Sequence, residues 1–314
     1  ATLFIASPLI GVVISGGLAF LLHQKKTLHR LVDRIGEKDF RAIMQFALIS
    51  LVILPVLPDR AFGPWDTLNP FRSWLMVVLI VGLGLAGWVA FQLLGSRAGV
   101  LLGGILGGLV SSTATTVTFA RRARDSKKPS LFAQLVILLA STVAFARVIV
   151  EVATVAPSVV LQAAPPIAIV LGTMMLLSAA LYFFSTDAIV DLPEAENPAA
   201  LDSALAFGAI YTIVTLASAA AQEWIGPRAL YAVALVSGLA DVDAITLSTA
   251  GMASRGTIPV PLAWRVILIA SLANLAFKLG IVATIAPRLA PRIGVSFGVT
   301  GAVGLALILL WPDA

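Results

Sequence analysis

The chain has no cysteine, only 2 histidines and only 12% charged residues. The lack of cysteine excludes disulfides, thiolate metal sites and cysteine nucleophiles. Both histidines, His23 and His29, lie in one basic segment, so no Ser/His/Asp arrangement is available and we expect no enzyme. A soluble domain carries roughly 25% charged residues, and the low content here excludes an ordinary soluble domain.

What the chain has is apolar sequence: 59% of its 314 residues are hydrophobic. Apolar windows of about 17–25 residues are typical of membrane-spanning helices, and we predict an all-α, polytopic transmembrane bundle of about ten spans. The windows are 3–22, 41–57, 74–94, 98–119, 131–153, 166–184, 204–224, 229–250, 262–285 and 293–311. The net charge of +5 lies mostly in short loops, where it faces lipid headgroups rather than nucleic acid.

We expect a bacterial inner membrane, because the chain is rich in alanine and leucine and forms no disulfides. The segment between the first two windows has apolar residues at helical spacing, which predicts an amphipathic helix at the membrane surface. The predicted division is 1–40 for the first span and this helix, 41–165 and 166–285 for two repeat halves, and 286–314 for the last span.

The halves are defined by an internal repeat. GGLVSSTATTVTFA at 107–120 aligns with SGLADVDAITLSTA at 237–250, and at the same offset VILLAS at 136–141 aligns with VILIAS at 266–271. The repeat unit is therefore at least three helices. If all ten windows cross the membrane, the two copies point the same way. If 98–119 and 229–250 are re-entrant, the copies are inverted and most basic residues fall on one side; re-entrant backbone needs protein or a water-filled cavity around it.

The second repeat motif carries Asp241 and Asp243, where the first has Ser111 and Thr113. A carboxylate near the bilayer centre costs about 2.5–3.5 kcal/mol on insertion scales, so such residues usually face a cavity, an ion or a partner. On an unbroken helix these aspartates lie about 200° apart. They can serve one site only if the helix unwinds, which we expect near Ser237-Gly238, and at Gly107-Gly108 in the first copy.

Oxygen ligands of this kind suit a hard monovalent or divalent cation, or a proton, and we expect no other cofactor. The predicted ligands are Asp241, Asp243, Ser111, Thr113, Thr116, Thr246 and Asn274. Three charges are predicted to tune the site: Arg147 and Glu151 as an i,i+4 pair, and Lys278 as a counter-ion to one aspartate. Two alternatives stay open, namely that Lys278 forms a structural ion pair and that the Ser and Thr residues pack helices.

Both repeat motifs, with LVILPVLPDRAFGPWDTLNPF at 51–71, resemble the long MgtC/SapB-type bacterial membrane proteins, specifically their C-terminal domain of unknown function. The resemblance covers nearly the whole chain; the N-terminal MgtC part is expected before residue 1, with only its end at about 1–25. It implies a connection with magnesium limitation, membrane energetics and inhibition of ATP synthase.

From these observations we expect a cation or proton transporter or channel, for example for Mg²⁺ or Na⁺, with a site at the membrane midplane. One alternative is a non-transporting regulator of another membrane complex, for example ATP synthase. Another is an intramembrane aspartyl protease, which needs two carboxyls that share a proton, one from each of two helices. The expected partners are the lipid bilayer, further copies of the chain and a membrane protein.

Overall fold

The computed structural model describes residues 37–94, 100–124, 131–183 and 201–312. In these ranges the chain is helical and contains no β-strand, which confirms the predicted all-α class. The α-helices are α1 (Glu37–Ala47), α2 (Pro70–Leu94), α3 (Val100–Arg124), α4 (Leu131–Val155), α5 (Val160–Phe183), α6 (Leu201–Trp224), α7 (Leu230–Ala240), α8 (Val242–Ser254), α9 (Val260–Ile285) and α10 (Ala290–Leu310). The predicted span 3–22 lies outside the described residues, as does most of the amphipathic segment after it.

Five of these helices are long and apolar enough to cross a membrane: α4, α5, α6, α9 and α10. They indicate a membrane protein.

The predicted span 41–57 is not one continuous α-helix. α1 ends at Ala47, and the chain then forms a π-helical turn and a 3₁₀ turn. Pro55 lies in the 3₁₀ turn and has no N–H to extend an α-helical ladder.

The core consists of two hydrophobic clusters that meet at α9. One cluster joins α4, α5, α9 and α10 to the end of α3. The other joins α1, α2, α6, α7 and α8 to α9, so that Leu268 belongs to the first cluster and Val266 to the second. α5 and α10 expose large apolar side chains such as Leu161 and Leu309 on their outer faces. Such faces are typical of helices that contact lipid.

Two glycines bring helices into close contact. A Cβ atom on Gly108 of α3 would lie 2.7 Å from the carbonyl oxygen of Ala140 in α4. A Cβ atom on Gly238 of α7 would lie 2.8 Å from the Cα atom of Ala270 in α9. Small residues at such contacts let helix backbones approach closely in membranes. We predicted helix breaks near these positions. α-helix continues past both glycines and is interrupted three residues later, at Ser111 and Asp241.

Gly238→Ala is expected to destabilise the protein by about 1–3 kcal/mol, the usual cost of overpacking. The added methyl group would meet the Ala270 backbone, which cannot move aside as a side chain can. The measurement is the thermal unfolding midpoint of the purified protein in detergent. Gly280→Ala in α9 is the matched control, because nothing lies within 4 Å of its Cβ position. Equal midpoints for the two variants would contradict the close approach of α7 to α9.

Candidate site at two helix breaks

Both repeat motifs are interrupted, and at aligned residues. α7 ends at Ala240, Asp241 is extended (φ −156°, ψ 125°), and α8 begins at Val242. Inside α3, Ser111 is likewise extended (φ −166°, ψ 109°). The break in each copy comes nearly one turn after the glycine where we predicted it. The predicted span 229–250 is therefore two helices, and α3 consists of a first segment and a second segment, residues 112–124.

Each break residue caps the helix that follows it. The Oδ1 atom of Asp241 accepts hydrogen bonds from the backbone N–H groups of Asp243, at 2.7 Å, and Ala244, at 3.2 Å. Ser111 Oγ accepts one from the N–H of Ala114, at 3.2 Å. Asp and Ser are preferred N-cap residues because their side-chain oxygens bond the first free N–H groups of a helix. Asp241 is therefore a structural cap as well as a buried acid.

The carbonyl groups at the end of each preceding segment receive donors from a neighbouring helix. Asn274 Nδ2 on α9 donates to the carbonyl oxygen of Gly238 at 3.0 Å. Arg147 Nη1 on α4 donates to the carbonyl oxygen of Leu109 at 3.2 Å. The last carbonyls of a helix have no partner within it, and a buried polar group without a hydrogen bond is costly. Asn274 and Arg147 thus stabilise the two breaks.

Arg147 also joins two carboxyl groups. Its Nη2 atom forms an ion pair and hydrogen bond with Asp243 Oδ2 on α8. Its Nε atom lies 4.0 Å from Glu151 Oε1, one turn along α4. Glu151 is fully buried, and neither of its carboxyl oxygens has a hydrogen-bond partner among the described residues. The guanidinium therefore bridges α4 to α8 and faces a net excess of acid.

Lys278 does not form the predicted ion pair with an aspartate. It is fully buried, and its Nζ atom donates to Ser112 Oγ at 2.8 Å. In the part of the chain that the structure describes, no carboxylate lies within ion-pair distance of Lys278. Lys278 and both aspartates line one cavity, and the role of Lys278 as a counter-ion stays a prediction. α9 directs the ammonium to the start of the second segment of α3, and Arg147 pairs with Asp243 instead.

A polar cavity of about 260 Å³ opens between the two breaks. It brings together these predicted site residues: Asp241, Asp243, Ser111, Thr113, Asn274, Lys278 and Arg147. Three others lie away from its lining. Thr116 Oγ1 donates to the carbonyl oxygen of Ser112 at 2.8 Å, while Thr246 and Glu151 are fully buried. The extended residues turn Asp241 and Asp243 toward one space, which an unbroken helix does not allow.

Sequence reasoning missed three serines that line this cavity, Ser112, Ser141 and Ser271. Ser141 and Ser271 end the aligned VILLAS and VILIAS segments, so the repeat itself was a signal for them. Their hydroxyls differ. Ser271 Oγ donates to the carbonyl oxygen of Ile267 at 2.9 Å, within its own helix. Ser141 Oγ is buried without a hydrogen-bond partner among the described residues.

Comparison with known proteins places the chain in a family. The chain belongs to the family described as a domain of unknown function, DUF4010. Its sequence profile matches residues 78–286, a range that contains both breaks and the cavity. An "Uncharacterized protein" from Aquifex aeolicus (strain VF5) is 28% identical over 183 residues, which are 58% of this chain and 80% of that protein. No solved structure matches the chain. The resemblance to MgtC/SapB-type proteins stays a prediction.

Asp241→Ala is expected to lower the free energy of unfolding by about 1 kcal/mol, since alanine cannot accept the two N–H hydrogen bonds at the start of α8. Asp241→Ser, which installs the residue found at the first break, is expected to retain most of the stability. Chemical or thermal unfolding in detergent measures both. Equal losses in the two variants would show that the carboxylate does not act as a cap.

Proposed function

We propose that this protein transports a cation or a proton across the membrane through the cavity between the breaks. The observation that carries the proposal is that two interrupted helices present polar caps to one cavity inside an apolar bundle. Irregular backbone at membrane depth is tolerated only where protein buries it or it lines a water-filled cavity. Discontinuous helices of this kind form the substrate and ion sites of many transporters.

The internal repeat supports this proposal. Ser111 and Asp241 are aligned, and each break receives a hydrogen bond from the helix that follows in its own half, α4 or α9. After these helices, α5 and α10 occupy aligned stretches of sequence. We propose two related units, α2 to α5 and α6 to α10, with the cavity between them. Alternating access in repeat transporters is largely the rocking of one such unit against the other.

Asp241 is the proposed primary acceptor of the cation or proton. Arg147 already pairs with Asp243, whereas no cation lies within ion-pair distance of Asp241 among the described residues. The described chain also contains no group of three or more His, Cys, Asp or Glu residues that could hold a metal ion. One carboxylate without an ion-pair partner in the described chain, surrounded by neutral oxygens, favours a proton or a monovalent cation over Mg²⁺.

The ion pair between Arg147 and Asp243 favours a second candidate function. If this pair is fixed, it holds α4 to α8, and the cavity is structural. The protein would then regulate another membrane complex, as the MgtC/SapB resemblance implies for ATP synthase. An aspartyl protease is less favoured, because Glu151, the carboxyl beside Arg147 and Asp243 on another helix among the described residues, does not line the cavity. For either function we propose a bacterial inner membrane, because several helices are apolar enough to cross a membrane and the chain is similar to a protein from Aquifex aeolicus.

The test is ion flux into liposomes that contain the purified protein, with Na⁺, Mg²⁺ and H⁺ measured separately. The parent protein is expected to carry Na⁺ or H⁺. Asp241→Asn keeps a good N-cap but removes the charge, and it is expected to reduce flux at least about tenfold, which corresponds to about 1.4 kcal/mol. Asp243→Asn is expected to reduce flux as well, because it leaves Arg147 without its partner.

Asp59→Asn is the matched control, since Asp59 is an exposed acid in a loop where it contacts Arg72 and Asn69. It is expected to leave flux unchanged. Absence of flux for all three ions in the parent, or equal flux in the parent and Asp241→Asn, would refute the transport proposal. Co-purification with subunits of a membrane complex, together with absent flux, would favour the regulator.

A further inference from the structure

The two helix breaks differ in charge. α8 starts with a carboxylate cap that accepts two N–H groups, whereas the second segment of α3 starts with the neutral hydroxyl of Ser111, which accepts one. The N-terminus of a helix carries about half a positive charge. The negative carboxylate of Asp241 compensates the partial positive charge at the start of α8. The neutral hydroxyl of Ser111 does not compensate the same partial charge at the start of the second segment of α3.

Lys278 adds its side-chain amino group at the same place. Its ammonium group donates to Ser112 Oγ, on the first residue of the second segment of α3. An ammonium group has three donors, and the described part of the chain supplies this one hydrogen-bond acceptor and no carboxylate within ion-pair distance. A buried charged group is stabilised by hydrogen bonds and by an opposite charge in direct contact. A bound anion would supply both.

Ser141 provides an independent observation. Its hydroxyl is fully buried and has no hydrogen-bond partner among the described residues, yet the residue lines the cavity. Its neighbour Ala140 packs against Gly108, just before the first break, so Ser141 lies at the level of that break. The aligned Ser271 has its hydroxyl bonded to Ile267 instead. Ser141, in the first copy of the repeat, therefore still lacks a hydrogen-bond partner in the described part of the chain, whereas Ser271, in the second copy, has one. The caps differ in the same way, because the first break is less fully satisfied than the second.

We infer that the start of the second segment of α3, with Lys278, Ser112 and Ser141, binds a monovalent anionic group that enters the cavity with the cation or proton. The group is either a free inorganic anion or the carboxylate of a small organic solute. The cavity measures about 260 Å³ against roughly 30 Å³ for a water molecule, so it accommodates either. The inference rests on the proposed function, because it assigns a second ligand to the same cavity.

The experiment is isothermal titration calorimetry on the full chain in detergent, in a zwitterionic buffer that contains no chloride and no carboxylate. Chloride and acetate are added separately as their N-methylglucamine salts, so that no small cation is introduced. The parent protein is expected to bind at least one of them. Ser141→Ala is expected to weaken binding about tenfold, the loss typical of one hydrogen bond to a charged group. Lys278→Gln is expected to abolish it.

Ser271→Ala is the matched control and is expected to keep the parent affinity, because its hydroxyl already bonds Ile267. If Lys278→Gln does not fold, the comparison of the two serines carries the test alone. Binding of chloride alone identifies an inorganic anion, and binding of acetate alone identifies a carboxylate; both support the inference. Binding of neither anion, or equal effects of the two serine variants, overturns it.

The two proposals fail separately. Cation flux that depends on Asp241, with no anion binding, removes the anion subsite and leaves the transport function. Anion binding that depends on Ser141, with no flux of Na⁺, Mg²⁺ or H⁺, supports the subsite and removes cation transport.

Discussion

The need to satisfy the backbone at two interrupted helices is the constraint on which the rest of this structure depends. In an apolar bundle the groups that a break releases must find partners in the protein or in a water-filled cavity. Caps from Ser111 and Asp241 bond the N–H groups, and Arg147 and Asn274 bond the carbonyls. Arg147 on α4 and Asn274 on α9 are therefore first of all requirements of the fold. The cavity forms where these polar groups converge.

Charge in this site is distributed unevenly between the two copies of the repeat. The second break has a carboxylate cap and a second carboxylate paired with Arg147, whereas the first has hydroxyls and the ammonium of Lys278. An acidic and a basic side thus face one small volume. Because such charges interact more strongly where water is excluded, a ligand with complementary charges would gain more here than in an exposed groove.

The helices could largely be predicted from sequence, while the break positions could not. The windows 131–153 and 262–285 correspond to α4 (Leu131–Val155) and α9 (Val260–Ile285), because long apolar runs have few alternatives to helix. Glycine indicated a break for its flexibility, but Gly108 and Gly238 serve close packing instead, and the polar caps determine where the helix stops. From sequence alone, an aspartate in an apolar run suggests an ion ligand. Its role as an N-cap can be recognised only when the residue at which the preceding helix ends is known.

Pairings between helices were the least predictable part of the site. Arg147 and Glu151 share a helix, so their spacing suggested a pair, yet Arg147 bonds Asp243 on α8 more directly. Lys278 was expected as a counter-ion to an aspartate; it lines the same cavity as both aspartates, but the direction of α9 places its hydrogen bond at Ser112. The charges of the side chains predict which groups attract each other, but the packing of the helices determines which of them come into contact.

One guanidinium contacts both halves of the repeat, at Leu109 beside the first break and at Asp243 beside the second. Because one side chain bonds both breaks, a movement of one break affects the hydrogen bond at the other. If α8 moves relative to α3, Arg147 must either follow α8 and release Leu109 or stay and release Asp243. Each choice leaves a polar group without the hydrogen bond that Arg147 gives it. Intermediate positions are therefore penalised, and the bundle is expected to switch between discrete arrangements rather than deform gradually.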